Sequence, residues 1–209
     1  MSFAEDRTAL VRALERSGIA DRRVLDAMGR VPRELFVPAD LRDDAYADHP
    51  MPIGEGQTIS QPYIVARMTE LLDPRPTDHV LEVGGGSGYQ AAVLASLVRD
   101  VVTVERHEPL ARAAAERLRE LGYGNVRVVV GDGSEGYGAE APYDKILIAA
   151  AAPEISDKLR AQCAPHGRVV APLGDRQRQE LVVEFGDGRR ERYGGVRFVP
   201  LRGRAGFTE

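Results

Sequence analysis

The chain has 209 residues and one cysteine, Cys163, so no internal disulfide can form and a reducing compartment suits it. A lone thiol of this kind reads as a small core residue, not as a nucleophile. No apolar run approaches the roughly 18 residues that mark a membrane span, so no membrane partner is expected. The opening Met1-Ser2-Phe3-Ala4-Glu5-Asp6-Arg7 is interrupted by charge at once and does not read as a secretory signal. The expected location is the cytoplasm. Lys plus Arg total 28 against 32 Asp plus Glu, a net charge of −4, and no basic run exceeds two residues. That speaks against a nucleic-acid partner. The histidines at 49, 79, 107 and 166 form no i, i+4 pair or ligand cluster, so no metal site is expected. Internal repeats and low-complexity stretches are also missing. The length suits one domain, 1–209, with a proper core, and a monomer is expected.

The most informative stretch is Val80-Leu81-Glu82-Val83-Gly84-Gly85-Gly86-Ser87-Gly88-Tyr89-Gln90. Apolar residues lead into an acid and a glycine-rich turn, and a helical pattern follows. Glycines let a ligand lie against the backbone because no Cβ intervenes. The helix start beyond them offers unpaired N–H groups. Strand, glycine turn and helix open a doubly wound nucleotide-binding fold. Glu105 ends the run Val101-Val102-Thr103-Val104, where such folds place the acid that accepts the ribose hydroxyls. Glycines at 84, 86 and 88 give Glu-x-Gly-x-Gly-x-Gly, the pattern of S-adenosyl-L-methionine (SAM) enzymes. A dinucleotide fingerprint starting at Gly84 fails at Tyr89, while one starting at Gly86 finds Ala91, an accepted variant. Glu82 favours SAM, because a carboxylate can meet the methionine ammonium but sits badly beside a pyrophosphate.

Periodicity predicts a helix over 4–17 stopped by Gly18, and a second from Asp21 to Met28 ended by Val31-Pro32. The proline- and glycine-interrupted segment 33–57 has no sustained period and reads as an irregular but ordered cover. Ser60 is expected to cap a helix reaching Leu72, with Ile64, Met68, Leu71 and Leu72 turned inward. Strict alternation follows: strand 80–83, helix 88–99, strand 101–105, helix 108–121, strand 126–130, loop 131–142, strand 144–149, helix 154–162 and strand 167–172. That pattern predicts a parallel sheet. Segments 180–185 and 191–199, joined by Gly186-Asp187-Gly188, read as an antiparallel hairpin at its edge. The expected fold is α/β: a Rossmann-like doubly wound sheet of a class I SAM-dependent methyltransferase. It is mostly parallel, with a C-terminal antiparallel hairpin and an N-terminal helical extension. Within it, 1–60 is the substrate-side cover and 78–209 the SAM-binding core.

Further segments carry a resemblance. These are Val31-Pro32-Arg33-Glu34-Leu35-Phe36-Val37-Pro38, Ala45-Tyr46-Ala47-Asp48, Pro52-Ile53-Gly54-Glu55-Gly56-Gln57-Thr58-Ile59-Ser60-Gln61-Pro62, Val130-Gly131-Asp132-Gly133, Ala141-Pro142-Tyr143-Asp144, Ala149-Ala150-Ala151-Ala152-Pro153 and Arg197-Phe198-Val199-Pro200-Leu201. Through them the chain resembles the protein-L-isoaspartate O-methyltransferase family over nearly its whole length, most specifically in Gly56–Pro62. Four positions depart from the family pattern. Met51 replaces a leucine, and Gly85 stands where threonine, cysteine or serine is usual. Tyr137 stands for tryptophan, and Arg202 for a small or hydroxyl residue.

The resemblance implies methyl transfer from SAM to the α-carboxylate of L-isoaspartyl residues in damaged proteins and peptides, with repair through a succinimide. It places Ser60 in the active site, with Gln57, Thr58 and Ile59 lining the same pocket. Glu82, Gly84, Gly85, Gly86, Ser87, Gly88, Glu105 and Arg106 hold the cofactor, and Asp132 and Gly133 meet the adenine. No strong base is required, since a carboxylate of pKa about 3.5 is already ionised at pH 7. Ser60 carries a second reading as a helix cap, and the helix start beside it suits a carboxylate. Two rival functions stay open at this point. One is a tailoring methyltransferase acting on an aspartate of one dedicated peptide. The other is a nucleotide-binding or NAD-dependent protein using Gly86-x-Gly88-x-x-Ala91.

Overall fold

The computed structural model describes residues 2–207. Helix α1 (Phe3–Arg16) starts at a capping box: the Ser2 side chain accepts from the Glu5 N–H, and the Glu5 carboxylate accepts from the Ser2 N–H at 2.8 Å. Helix α2 (Arg22–Arg30) is capped by Asp21 and buries Val24, Leu25, Ala27 and Met28. Two short 3-10 turns follow, Arg33–Leu35 and Ala39–Asp44. The cover is less irregular than expected, because strands β1 (Met51–Gly54) and β2 (Gln57–Ile59) pair antiparallel, Met51 opposite Ile59. Strands of four and three residues are too short to show a period. The signal that was present lies in the turn, where Glu55 and Gly56 both take positive φ.

Helix α3 (Pro62–Leu72) corrects a second expectation. Its N-cap is Gln61, not Ser60, and no side chain of the cap residue bonds the helix. Pro62 at the first helical position sets this frame. Asp48 supplies the missing acceptor from outside: its Oδ1 takes the Tyr63 N–H at 2.8 Å. The anion site expected beside Ser60 is therefore already filled by a carboxylate of the same chain. Of the predicted inner stripe, Met68, Leu71 and Leu72 are buried, whereas Ile64 is half-buried.

The main sheet then alternates with helices: β3 (His79–Val83), α4 (Tyr89–Ala95), β4 (Asp100–Glu105), α5 (Glu108–Glu120), β5 (Val126–Val130), β6 (Tyr143–Ile148), α6 (Asp157–Gln162) and β7 (Cys163–Gly174). Strands β8 (Gln179–Phe185) and β9 (Arg190–Val196) complete it. The spatial order is β5-β4-β3-β6-β7-β8-β9, parallel as far as β7 and antiparallel from there on. Helix α4 closes at Ala95 rather than 99, and α6 starts late because Ser156 caps it. The strand order reverses between β3 and β6, so the crevice beyond their carboxyl ends is the place for a ligand. Alternation along β3 sends Val80 toward the layer of α1–α4 and Leu81 and Val83 toward the opposite core. Glu82 therefore points to the same layer as Val80, and it is fully buried there.

Candidate active site

The backbone from Gly84 to Gly88 turns sharply at the switch point, with φ of 91° at Gly84, 53° at Gly86 and 87° at Gly88. Positive φ of this kind favours glycine, most strongly near 90° at Gly84 and Gly88. The glycines do different work. A Cβ on Gly85 would lie 2.5 Å from Thr103 Oγ1, so a hydroxyl of β4 occupies the space a side chain would take. A Cβ on Gly88 would lie 3.1 Å from Leu118 Cδ1, so Gly88 lets α5 pack closely and does not line the cleft. Gly133 approaches Val83 in the same way, at 2.8 Å.

The cleft has two lobes that meet at Gly84. One is lined by Thr58, Ile59 and Ser60 from the hairpin, Val65 and Met68 from α3, and Glu82, Gly84–Ser87, Tyr89, Gln90, Ala149 and Phe198. The other is lined by Gln57, Val83, Gly84, Val104, Glu105, Arg106, His107, Gly133, Ala150 and 200–202. A groove adjoins the first lobe between Pro50, Thr58, Ser60, Gln61, Ile64, Ala149 and 197–199. Ser60 and Thr58 belong to both the lobe and the groove.

Glu105 clamps the turn. Its Oε2 accepts the Gly86 N–H and its Oε1 the His107 N–H, both at 2.8 Å. A carboxylate has about four lone-pair positions, so two remain for a ligand. Glu82 contrasts with it. Neither of its oxygens has a hydrogen-bond partner. Desolvation pushes its carboxyl up to about 8, and the Glu105 charge adds to the shift. The Thr103 hydroxyl beside it pulls the other way without completing a hydrogen bond.

Asp132 takes the turn role open to an acid in such a loop and is engaged by its own chain. Its Oδ1 accepts from Ser134 N and Oγ, at 3.0 and 2.6 Å, and its Oδ2 from the Arg204 N–H at 2.8 Å. The carboxylate ties the tail to the loop, and Gly133 alone of the pair lines the cleft. Arg106 lies exposed at the mouth of the second lobe, joined there by Arg202. The sequence reading missed Arg33. This side chain is fully buried, lies 4.8 Å from the Tyr89 ring centroid, and donates to Ala45 O at 2.7 Å and Ser60 O at 2.8 Å. Its only signal was its place in Val31–Pro38, where the charged pair Arg33-Glu34 interrupts an apolar run. Arg197 and Phe198 were missed as lining because they come from a distant segment, and Tyr89 and Gln90 because they are the first residues of α4, just past the turn. Cys163 lies away from the cleft, and burial pushes its thiol up to about 11, so it stays protonated at neutral pH.

A glycine turn at the switch point, an acid closing the next strand and a two-lobed cleft define a class I methyltransferase fold. The family model for protein-L-isoaspartate (D-aspartate) O-methyltransferase matches residues 5–206. A protein-L-isoaspartate O-methyltransferase of Methanopyrus kandleri is 54% identical, with 99% of this chain and 96% of that protein covered. One from Roseiflexus castenholzii is also 54% identical, covering 100% and 97%. Among solved structures, a protein-L-isoaspartate O-methyltransferase superposes with a TM-score of 0.84 at 28% identity, covering 96% of this chain and 67% of that one. A Plasmodium falciparum structure described as a protein of the same family, in complex with S-adenosyl-L-homocysteine, gives 0.79 at 25%, covering 93% and 97%. The chain belongs to the protein-L-isoaspartate (D-aspartate) O-methyltransferase family. It is a methyltransferase whose cofactor is SAM, and the NAD-dependent and non-catalytic readings fall away.

Proposed function

We propose that this methyltransferase esterifies the α-carboxylate of L-isoaspartyl residues in damaged proteins and peptides, and that Ser60 sits at the point of transfer. The observation that carries the placement is that Ser60 lines both the lobe containing Glu82 and the groove adjoining it. The residues fit the cofactor. Glu105 keeps two free acceptor positions for the ribose hydroxyls, and Glu82 offers two unpaired buried oxygens to an ammonium. Gly84, Gly85, Gly86 and Ser87 supply backbone between them, with Gly88 closing the turn against α5. Gln57, Thr58, Ile59, Arg106 and Gly133 complete the walls, and Asp132 holds Gly133 in place.

When bound, SAM supplies a methyl group made electrophilic by its sulfonium. The protein's part is alignment. The first lobe holds no histidine or lysine, and none is needed, because the attacking carboxylate is already ionised. Holding nucleophile and acceptor in line accounts for about 7–11 kcal/mol of barrier in favourable cases. Apolar walls from Val65, Met68 and Phe198 keep water from the same place. An isoaspartyl link carries one extra backbone methylene, which moves the α-carboxylate relative to the chain seated in the groove. The ester then closes to a succinimide without further catalysis.

Acting on damaged proteins at large, the enzyme works as a monomer in the cytoplasm, without a nucleic-acid or membrane partner. A net charge of −4 speaks against a nucleic-acid partner, and no helix among the described residues is long and apolar enough to cross a membrane. The test is methyl transfer to paired isoaspartyl and aspartyl peptides of several unrelated sequences. Repair requires fast transfer to every isoaspartyl member and little to its isomer. Equal rates on both isomers, or activity confined to one sequence, would instead identify a tailoring enzyme with a dedicated peptide.

A further inference from the structure

Among the described residues, four buried side-chain nitrogen and oxygen atoms lack a hydrogen-bond partner: Arg33 Nη1, Glu82 Oε1, Glu82 Oε2 and Thr103 Oγ1. Three of them lie together. Glu82 and Thr103 are register partners on adjacent parallel strands, so their side chains leave the sheet on the same face. Glycine at 85 leaves the Thr103 hydroxyl against the turn, since a Cβ there would sit 2.5 Å from it. Glu82 lines the first lobe and Thr103 lies beside it under the Gly85 turn. Folded proteins rarely leave buried polar atoms unpaired, and an unpaired carboxylate that lines a cleft calls for a ligand.

The surroundings say which kind. From α3 the lobe receives Val65 and Met68, which are apolar, and from the hairpin Thr58, Ile59 and Ser60, none charged. From α4 it receives Tyr89, which stays neutral because burial pushes its phenol up to about 12, and Gln90, whose Nε2 is already given to Thr69 Oγ1. From β6 come Leu147, the register partner of Glu82, and Ala149 beyond the strand end. Two cations border the lobe: Arg33, above the Tyr89 ring, with two of its nitrogens committed to the carbonyls of Ala45 and Ser60, and Arg117 of α5, which donates to Ser87 O. The other charge is Glu105, of the same sign as Glu82. Among the described residues, then, Glu82 has no hydrogen-bonded counter-ion. A primary ammonium carries three donors, and two carboxylate oxygens with one hydroxyl oxygen offer three acceptors.

We infer that Thr103 joins Glu82 in a single receptor for the α-ammonium of the cofactor's methionine part, and that Glu82 is neutral in the empty protein and gives up its proton as the ammonium arrives. The inference rests on the reading that this lobe takes the methionine part. The balance is simple: the cofactor arrives as a cation, a carboxylic acid becomes a carboxylate beside it, and one proton passes to the buffer. Burial supports the neutral empty state, since it holds this carboxyl near 8. The proton count is cleanest near pH 6.5, where a free α-amino group of pKa about 7.7–8.0 is still charged.

Titration calorimetry of SAM into the full chain at pH 6.5, in buffers of different ionisation enthalpy, tests this. We expect close to one proton released per SAM bound, no such release from Glu82→Gln, and none when 5′-methylthioadenosine, which lacks the amino-acid part, replaces SAM. Thr103→Val should weaken SAM binding about 10- to 100-fold, the range of one hydrogen bond to a charged group, and leave 5′-methylthioadenosine unchanged, while Thr103→Ser should restore SAM binding. SAM binding without proton release, or a release that persists in Glu82→Gln, would overturn the inference while leaving the cofactor site standing. Failure of SAM to bind the wild type at all would instead remove the reading beneath it.

Discussion

Replacing Arg33 with lysine should separate catalysis from cofactor binding. The guanidinium spans two carbonyls, Ala45 O at 2.7 Å and Ser60 O at 2.8 Å, from a fully buried position. An ammonium has one nitrogen and cannot reach both acceptors at once. Losing one hydrogen bond to a charged group costs about 1.5–3 kcal/mol, and the stranded carbonyl adds to that. We therefore expect a loss of about 2–4 kcal/mol, or roughly 4–15 °C in Tm for a chain of this size. The catalytic consequence is larger in proportion. Ser60 follows β2 without a helix cap of its own, so Arg33 from one side and the Asp48 contacts to Gln61 and Tyr63 from the other are what hold its segment. A displacement of about 1 Å at such a point can cost up to 10²-fold in rate. Arg33 lines neither cofactor lobe, so SAM affinity should stay within about twofold. The assay is kcat on an isoaspartyl peptide well below the variant's Tm, beside SAM titration calorimetry. A kcat within twofold of wild type, in a variant whose Tm has fallen as expected, would refute Arg33 as the positioning residue of Ser60.

The other expectations are briefer. Ser60→Ala should lower kcat at least tenfold yet barely change Tm, because Gln61 and not Ser60 caps α3; a cap loss of about 1 kcal/mol in thermal melts would contradict the observed frame. Glu105→Ala should weaken SAM at least tenfold and also lower Tm, since both carboxylate oxygens hold backbone amides of the cleft; calorimetry showing unchanged affinity would reject the ribose assignment. The cofactor-free protein should lose stability as pH rises. The Glu82 carboxyl is raised from 4.5 to about 8 on folding, so its contribution is complete below 4.5 and is lost as pH climbs through about 8. Between pH 6 and 8 this amounts to about 2 kcal/mol, or roughly 4–8 °C in Tm. Glu82→Gln should remove that slope, and matching pH profiles of variant and wild type would disprove it.

How much of this could be read from the residues depends on whether the relevant contact is local. The turn from Gly84 to Gly88, the acid at 105 and the alternating strands are each encoded within a few neighbours, and the sheet they predict is the sheet observed. The hairpin 51–59 escaped because seven paired or nearly paired residues carry too few alternations to establish a period of two. Ser60 was misplaced as a cap by a local rule that a second local rule outranks: with proline at 62 as the first helical residue, the cap must be 61. The remaining gaps are long-range. Asp48 capping α3 across fifteen residues, Arg33 reaching the Ser60 carbonyl across twenty-seven and Asp132 holding Arg204 across seventy-two leave no trace in any window of sequence. The same holds for Thr103. In the sequence it is one β-branched residue in a strand of β-branched residues. Only the parallel register with β3 and the missing side chain at 85 reveal that its hydroxyl faces an unpaired carboxylate. Glycine at 85 therefore leaves room for a polar atom delivered from the next strand.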